Sequence, residues 1–271
     1  MTKLIPIVKW ESEKRKNIVG IFTDIDDTLT TNGQVPADAF SAMERLQNAG
    51  FLVIPVTGRP AGWCDMIART WPVDAVVGEN GALAFRYDLA GRRMQRLYHD
   101  PVEVRTQKMQ RLELIGNDVL DKVAGARLSA DQAYRETDLA IDIAEDVLPL
   151  KDDLIDRIVS IFEHHEATVK VSSIHVNGWF GNYSKLTMTH QMMSKFFNVD
   201  LEASKNQYVF IGDSPNDAQM FGYFTTAVGV ANLQDVAWRC EKLPTWITRQ
   251  RRTAGFIEMA ELLLKAKNIE G

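Results

Sequence analysis

Two apolar runs stand out near the start of the chain, IVGIFTDI at 18–25 and FLVIPVTG at 51–58, each continuous enough for a strand buried on both faces. Between them Pro36 opens a stretch with Phe40, Met43 and Leu46 at helical spacing, closed by Gly50. Together these segments predict a β-α-β unit. A helix over 61–70 and a short apolar strand at 74–77 continue the alternation expected of a parallel sheet with crossover helices.

The pattern changes between about Arg86 and Asn177. A strand, a long helix over 102–123, strands near Arg127 and over 139–144, a helix over 152–166 and the strand ATVKVSS follow one another. AIDIA and ATVKVSS alternate apolar with polar positions, which predicts an antiparallel sheet with one side wet or lightly covered. The α/β rhythm then returns: a helix over 185–197, the strand QYVFIG, a helix over 215–224, the strand TAVGVA, a helix over 233–240, the strand TWIT and a helix over 255–267. The expected organisation is one α/β sheet domain built from residues 1–84 and 181–271, with an α+β module inserted at 85–180. No internal repeat or low-complexity linker interrupts it.

At 271 residues, with 45% hydrophobic and 25% charged positions, the chain can bury a large core. A net charge of −5 supplies no broad basic field for nucleic acid. Cys64 and Cys240 show no C-x-x-C spacing, which argues against a structural zinc site or a disulfide framework and suits a reducing cytoplasm. No stretch approaches the ~18 apolar residues of a membrane span, and the first 16 residues lack the apolar region of a secretion signal. Neither export nor a membrane partner is expected.

Ligands of open parallel sheets bind where strands end, and three predicted strands end in distinctive chemistry: DIDDTLT at 24–30, VTGR at 56–59 and GDSPND at 212–217. Each alone reads equally well as a turn or a helix cap. Brought to one sheet edge, their carboxylates would repel unless a divalent cation neutralised them, and hard oxygen ligands favour magnesium. A calcium-binding EF-hand does not fit, because Leu29 stands at the loop position that needs glycine and a strand precedes the loop.

The D-x-D-x-T after an apolar strand, the Thr ending the next strand, a downstream lysine and G-D-x-x-x-D together resemble the haloacid dehalogenase superfamily of phosphotransferases. The position and α+β character of the insert, with GENGA at 78–82, are similar to the type IIB branch, which includes Cof-type, sucrose-phosphate, mannosyl-3-phosphoglycerate and trehalose-phosphate phosphatases and phosphomannomutase. The resemblance implies a Rossmann-like core with a C2B-type cap. It also implies that Asp24 attacks phosphorus while Asp26 protonates the leaving oxygen and later activates water. Thr57 and Lys185 would bind the phosphoryl oxygens. Asp24, the Asp26 backbone carbonyl, Asp213 and Asp217 would hold Mg2+.

Lys195 shares the helix of Lys185, but Lys185 follows directly on the insert. Thr28, Gly58, Arg59, Asn80 and Asn216 are the expected substrate-binding positions, with a surface ion pair as the other reading of Arg59. His175, Asn177, Trp179, Asn182 and Tyr183 suit either contact with a sugar or packing of the hinge. Asp27 replaces the glycine of many relatives, so its side chain must point away from the substrate or into solvent. The expected activity is hydrolysis of a small phosphorylated metabolite, probed with p-nitrophenyl phosphate and magnesium. Return of the phosphoryl group to a sugar by a mutase, and a phosphoryl-binding signalling module without turnover, are the alternatives.

Overall fold

A computed structural model describes residues 4–267. The chain enters through a short strand, β1 (Ile5–Pro6), and helix α1 (Ser12–Lys16). The first apolar run becomes β2 (Gly20–Thr23), wholly buried, and its polar sequel leaves as a loop. Helix α2 (Ala37–Asn48) buries Ala39, Ala42, Met43 and Leu46, and β3 (Leu52–Pro55) runs parallel to β2 with Val53 beside Ile21. Helix α3 (Ala61–Thr70) and β4 (Val76–Gly78) complete the first stretch.

Strands β5 (Leu83–Asp88) and β6 (Arg93–Tyr98) form a hairpin antiparallel to β4. The hairpin packs against α3, so the separately packed module begins at α4 (Val102–Lys122). It continues through β7 (Arg127–Leu128), β8 (Asp138–Asp142), α5 (Asp152–His164), β9 (Thr168–Val171) and β10 (His175–Trp179). Its antiparallel sheet has the order β7-β8-β10-β9. Leu139, Ile141 and Val176 on one face of that sheet pack with Leu112, Ile115 and Val119 of α4 and Ile158 and Phe162 of α5.

Helix α6 (Lys185–Phe197), α7 (Leu201–Ser204), β11 (Tyr208–Gly212), α8 (Ala218–Tyr223), β12 (Val228–Gly229), α9 (Leu233–Val236), β13 (Trp246–Ile247) and α10 (Arg252–Ala266) close the chain. The parallel sheet has the order β1-β13-β12-β11-β2-β3, so residues from before and after the module build one sheet. The architecture is thus α/β, a parallel sheet core with antiparallel additions. TAVGVA and TWIT shorten to two paired residues each, because the chain after Gly229 leaves the sheet and Ala231 donates to the Gln250 carbonyl instead. Among the described residues no helix is long and apolar enough to cross a membrane.

One expectation fails over most of the sheet. Its polar face is wet only at the β9 edge, where Thr168 is exposed and Lys170 half-buried; Asp138, Asp142, His175 and Asn177 are buried. That face lies against the strand ends of the parallel sheet, where Asn80 Nδ2 donates to Asp138 at 3.2 Å and Arg135 donates to the Gly58 carbonyl at 2.8 Å. Asp138 is paired across the gap, while Asp142, His175 and Asn177 are satisfied within the module by the Ala144 to Asp146 amides, Glu145 and Asp138.

The close approach of α6 to the loop after β4 rests on Gly81. Its φ is +103°, and a β-carbon would lie 2.0 Å from the Ser184 carbonyl oxygen and 2.6 Å from the Lys185 nitrogen. Both atoms are backbone, so neither moves without displacing the helix start. Gly81→Ala is expected to cost at least about 2 kcal/mol, through a left-handed non-glycine backbone and overpacking. A thermal melt checks this; a midpoint lowered by less than roughly 1 °C would contradict the contact.

Candidate active site

The parallel ladder carries Asp24 and Asp213 to adjacent strand ends. Asp24 N donates to the Ile211 carbonyl at 2.9 Å, and β11 runs on from Gly212 into Asp213. SPND folds as the turn its residues favour, but a turn with a second use: the Asp217 Oδ2 accepts from the amides of Asp213 at 3.1 Å and Ser214 at 3.3 Å. Lys185 is the first residue of α6, held by a capping box in which Ser184 accepts from the Thr187 amide and Thr187 Oγ1 from the Ser184 amide. From there its Nζ donates to Asp24 Oδ1 and to Asp217 Oδ1, both at 2.7 Å. Lys195 is exposed on the same helix.

Asp24, Asp213 and Asp217 each place one oxygen within 4.8 Å of the others, and all three are buried. Burial raises the Asp24 carboxyl to about 8; Asp217 and Asp26 push the same way, and Lys185 pulls against them. Asp213 is likewise raised well above the ordinary carboxylate range by burial and by Asp24, while its two neighbouring carboxylates hold Lys185 protonated. One cation shared among three buried anions leaves them short of positive charge. Asp213 Oδ1 is buried without a hydrogen-bond partner. An orphaned oxygen inside a carboxylate cluster suits a hard divalent ion, and Asp24 and Asp213 are the residues best placed to hold one. Asp217 lies within reach, with both oxygens already engaged by Lys185 and the loop amides.

Asp26 stands apart from that cluster. Its carboxylate is gripped by Arg59, whose Nε lies 3.0 Å from both oxygens and whose Nη2 lies 2.7 Å from Oδ1. Arg59 is only 3% exposed, so the reading of it as a surface ion pair is wrong: its charge is matched inside the cleft. Nη2 also donates to Glu145 Oε1 at 2.6 Å, and Glu145 Oε2 is 2.9 Å from His175 Nε2. Burial works to raise Glu145, but the bonds from His175 and Arg59 outweigh it and bring the carboxyl down to about 2.

The other expected positions divide. Gly58 and Asn216 line the same narrow space as Asp24, Asp26 and Arg59, together with His175 and Asn177. Thr57 Oγ1 is buried beside them and accepts from the Arg59 amide at 3.0 Å. Thr28 lies within the loop with a buried, unpartnered Oγ1. Asn80 is taken up by Asp138 of the inserted module, and Trp179 and Tyr183 stack on each other at 5.7 Å, which is the hinge-packing reading of that segment. Asp27 adopts φ +54°, a conformation glycine takes without strain, and turns its side chain to within 2.9 Å of Arg252 Nε.

Several participants went unread in the sequence. Asn232 donates to Asp213 Oδ2 at 3.1 Å and to the Asp27 carbonyl at 3.0 Å, tying the two loops together. Glu79 of GENGA is wholly buried, accepting from the amides of Ala61 at 2.8 Å and Thr137 at 2.7 Å; burial and Asp138 raise its carboxyl to about 7. Glu145, Asp131 and Asp138 come from the module. Apart from Glu79 of GENGA, no local motif marks these residues, since the partners that bring them to the site lie far away in sequence.

The space enclosed by Asp24, Asp26, Arg59, His175, Asn177 and Asn216 is about 10 Å³, roughly one water. Beside it, an open cleft of about 340 Å³ runs past Asp27, Asp213 and Ser173 to Trp238. The module therefore leaves little room over Asp24 and Asp26, beside a cleft that opens at Asp213.

The sequence model of a family described as haloacid dehalogenase-like hydrolase matches residues 21–112. No curated protein matches the chain significantly. Among solved structures, a protein of Thermoplasma acidophilum is 14% identical with a TM-score of 0.67, covering 93% of this chain and 99% of its own. The sucrose-phosphatase of Synechocystis, solved with sucrose and phosphate, is 13% identical with a TM-score of 0.62, over 90% and 97% of the two chains. The C-terminal domain of a trehalose-6-phosphate phosphatase from C. albicans is 11% identical with a TM-score of 0.68, over 100% and 99%. Residues 21–112 thus match a haloacid dehalogenase-like hydrolase family, and the chain shares the fold of these solved structures over nearly its whole length.

Proposed function

We propose that the chain hydrolyses a small phosphate monoester, a sugar phosphate or a related metabolite, through a phosphorylated Asp24 with magnesium at the carboxylate cluster. The observation that carries this reading is the convergence of Asp24, Asp213 and Asp217 on one another and on Lys185 at the end of the parallel sheet. The sugar-phosphate phosphatases that share the fold support the substrate class.

An Asp24 oxygen attacks phosphorus, forming an acyl phosphate as the bond to the leaving oxygen breaks; that oxygen takes its proton from Asp26. Asp26 then accepts a proton from water as the water attacks phosphorus, the Asp24–phosphorus bond breaks and phosphate leaves. Lys185 meets the charge spread over the phosphoryl oxygens, joined by the Thr57 hydroxyl. Asp24 and Asp213 supply oxygens to the magnesium, which when bound offsets negative charge on the phosphoryl group and the cluster. Asp217 holds Lys185 and the loop amides in place. With the module closed, water is kept from the intermediate except where Asp26 can use it.

The first test is phosphate release from p-nitrophenyl phosphate with magnesium; absence of turnover by a folded protein would sink the reading. Asp24→Asn is expected to lower turnover by at least about a hundredfold with an unchanged melt, because the amide keeps the shape but not the nucleophile. Retention of a tenth of the activity or more counts against it. Asp26→Ala should slow alkyl phosphates more than p-nitrophenyl phosphate, whose leaving group needs little protonation; equal losses would contradict the acid role.

A pH-dependent response to metal follows from the raised Asp24 carboxyl. Its folded value of about 8 lies above the ordinary 3.8, so the folded state holds that proton more tightly and loses stability as pH rises through this window. Magnesium replaces the proton as the neutralising charge. The melting shift produced by magnesium is expected to be larger at pH 8 than at pH 5; an equal or reversed shift by calorimetry would contradict metal binding at the cluster.

A further inference from the structure

Arg59 is a side chain that bonds to both the loop after β2 and the module. All three of its guanidinium nitrogens donate, and the acceptors belong to two different bodies: Asp26 on the loop after β2, and Glu145 with Asp131, the latter at 3.4 Å, on the module. The module side is held firmly. His175 Nε2 lies against Glu145 Oε2 at 2.9 Å, and Arg135 and Ser129 both bind Asp131. Arg59 also lies 4.3 Å over the ring of Trp63, which limits where its guanidinium can swing. Among the described residues, three further ion pairs join the module to the rest of the chain, Arg239 with Asp152, Lys170 with Glu241 and Lys108 with Asp100, and none touches Asp26.

The space over Asp24 and Asp26 holds about one water, and the wider cleft lies beside it at Asp213 and Ser173, so a phosphate monoester reaches Asp24 when the module moves away from that space. That movement breaks the bonds from Arg59 to Glu145 and Asp131 and leaves Asp26 as its sole charged partner of the three. Closure restores them. A guanidinium fixed by three carboxylates in a rigid fork has one orientation, and a carboxylate bound along its edge has one orientation too.

Resting on the phosphatase reading above, we infer that Arg59 is a positioning residue that couples closure of the module to the aim of the Asp26 carboxylate, with Glu145 as the closing contact. Asp26 is then correctly aimed at the leaving oxygen only in the closed enzyme. Protonation of the leaving group is confined to the state from which bulk water is excluded, which protects the acyl phosphate from premature or misdirected reaction.

Glu145→Gln tests the coupling, because it removes the closing charge but no group that touches substrate in the mechanism above. The measurement is kcat/KM, which reports steps up to leaving-group departure, for an alkyl phosphate such as glycerol 3-phosphate and for p-nitrophenyl phosphate, each with magnesium. Loss of about tenfold for the alkyl phosphate, with less than about twofold for the nitrophenyl ester, is the expected result, since only the first needs Asp26 as an acid. Glu145→Asp should recover part of the loss, and it carries the same comparison if the glutamine variant does not fold. Equal losses for both substrates, as a purely structural contact would give, overturn the inference, as does no loss for either. Inactivity of the wild type toward both esters would instead count against the phosphatase reading itself.

Discussion

Anions gathered in a dry place repel one another unless positive charge is placed among them, and the strand ends of the parallel sheet are organised around that constraint. Asp24, Asp213 and Asp217 each place an oxygen within 4.8 Å of the others, all three are buried, and among the described residues Lys185 is the one cation bonded to two of them. The raised Asp24 and Asp213 carboxyls register the charge that remains unmatched. A hard divalent ion would supply the missing positive charge to such a cluster. The capping box that starts α6, the turn that folds Asp217 under the Asp213 and Ser214 amides, and Gly81 packed against Ser184 all serve to keep Lys185 in register with the strand ends.

The same constraint explains the inserted module. Its sheet has an apolar face, packed on α4 and α5, and a polar face that meets the catalytic floor. Polar groups on that second face survive burial by pairing across the gap: Asp138 with Asn80, Glu145 with Arg59, and Arg135 with the Gly58 carbonyl. Shape and charge therefore close together. Glu79 adds a clamp of backbone amides drawn from both sides, at Ala61 and at Thr137.

Residues whose chemistry is local were legible in the chain. DIDDTLT, VTGR and GDSPND announce themselves by following apolar runs, and the structure brings Asp24, Asp26, Thr57 and Asp213 to one edge of the sheet. Lys185 was legible from its place after the insert. Arg59 was singled out, but its partner was not, because Asp26 and Glu145 are separated from it by 33 and 86 positions. The polar face of AIDIA was expected to be wet or lightly covered, and its burial went unread for the same reason: alternation reveals that two faces differ, and not what lies opposite them.

From the amino-acid order alone come the β-α-β rhythm, the interruption by a module of different periodicity, and the identity of the acidic and basic groups at strand ends. Those follow from periodicity and from the short-range conformational preferences of aspartate, glycine and proline. Tertiary structure alone decided that Asp26 is gripped by an arginine, that the module is shut over about 10 Å³ of space, and that Glu145, Asp131, Asp138 and Asn232 belong to the site. Burial and pairing across long separations set those features, and neither is encoded in any one stretch of the chain.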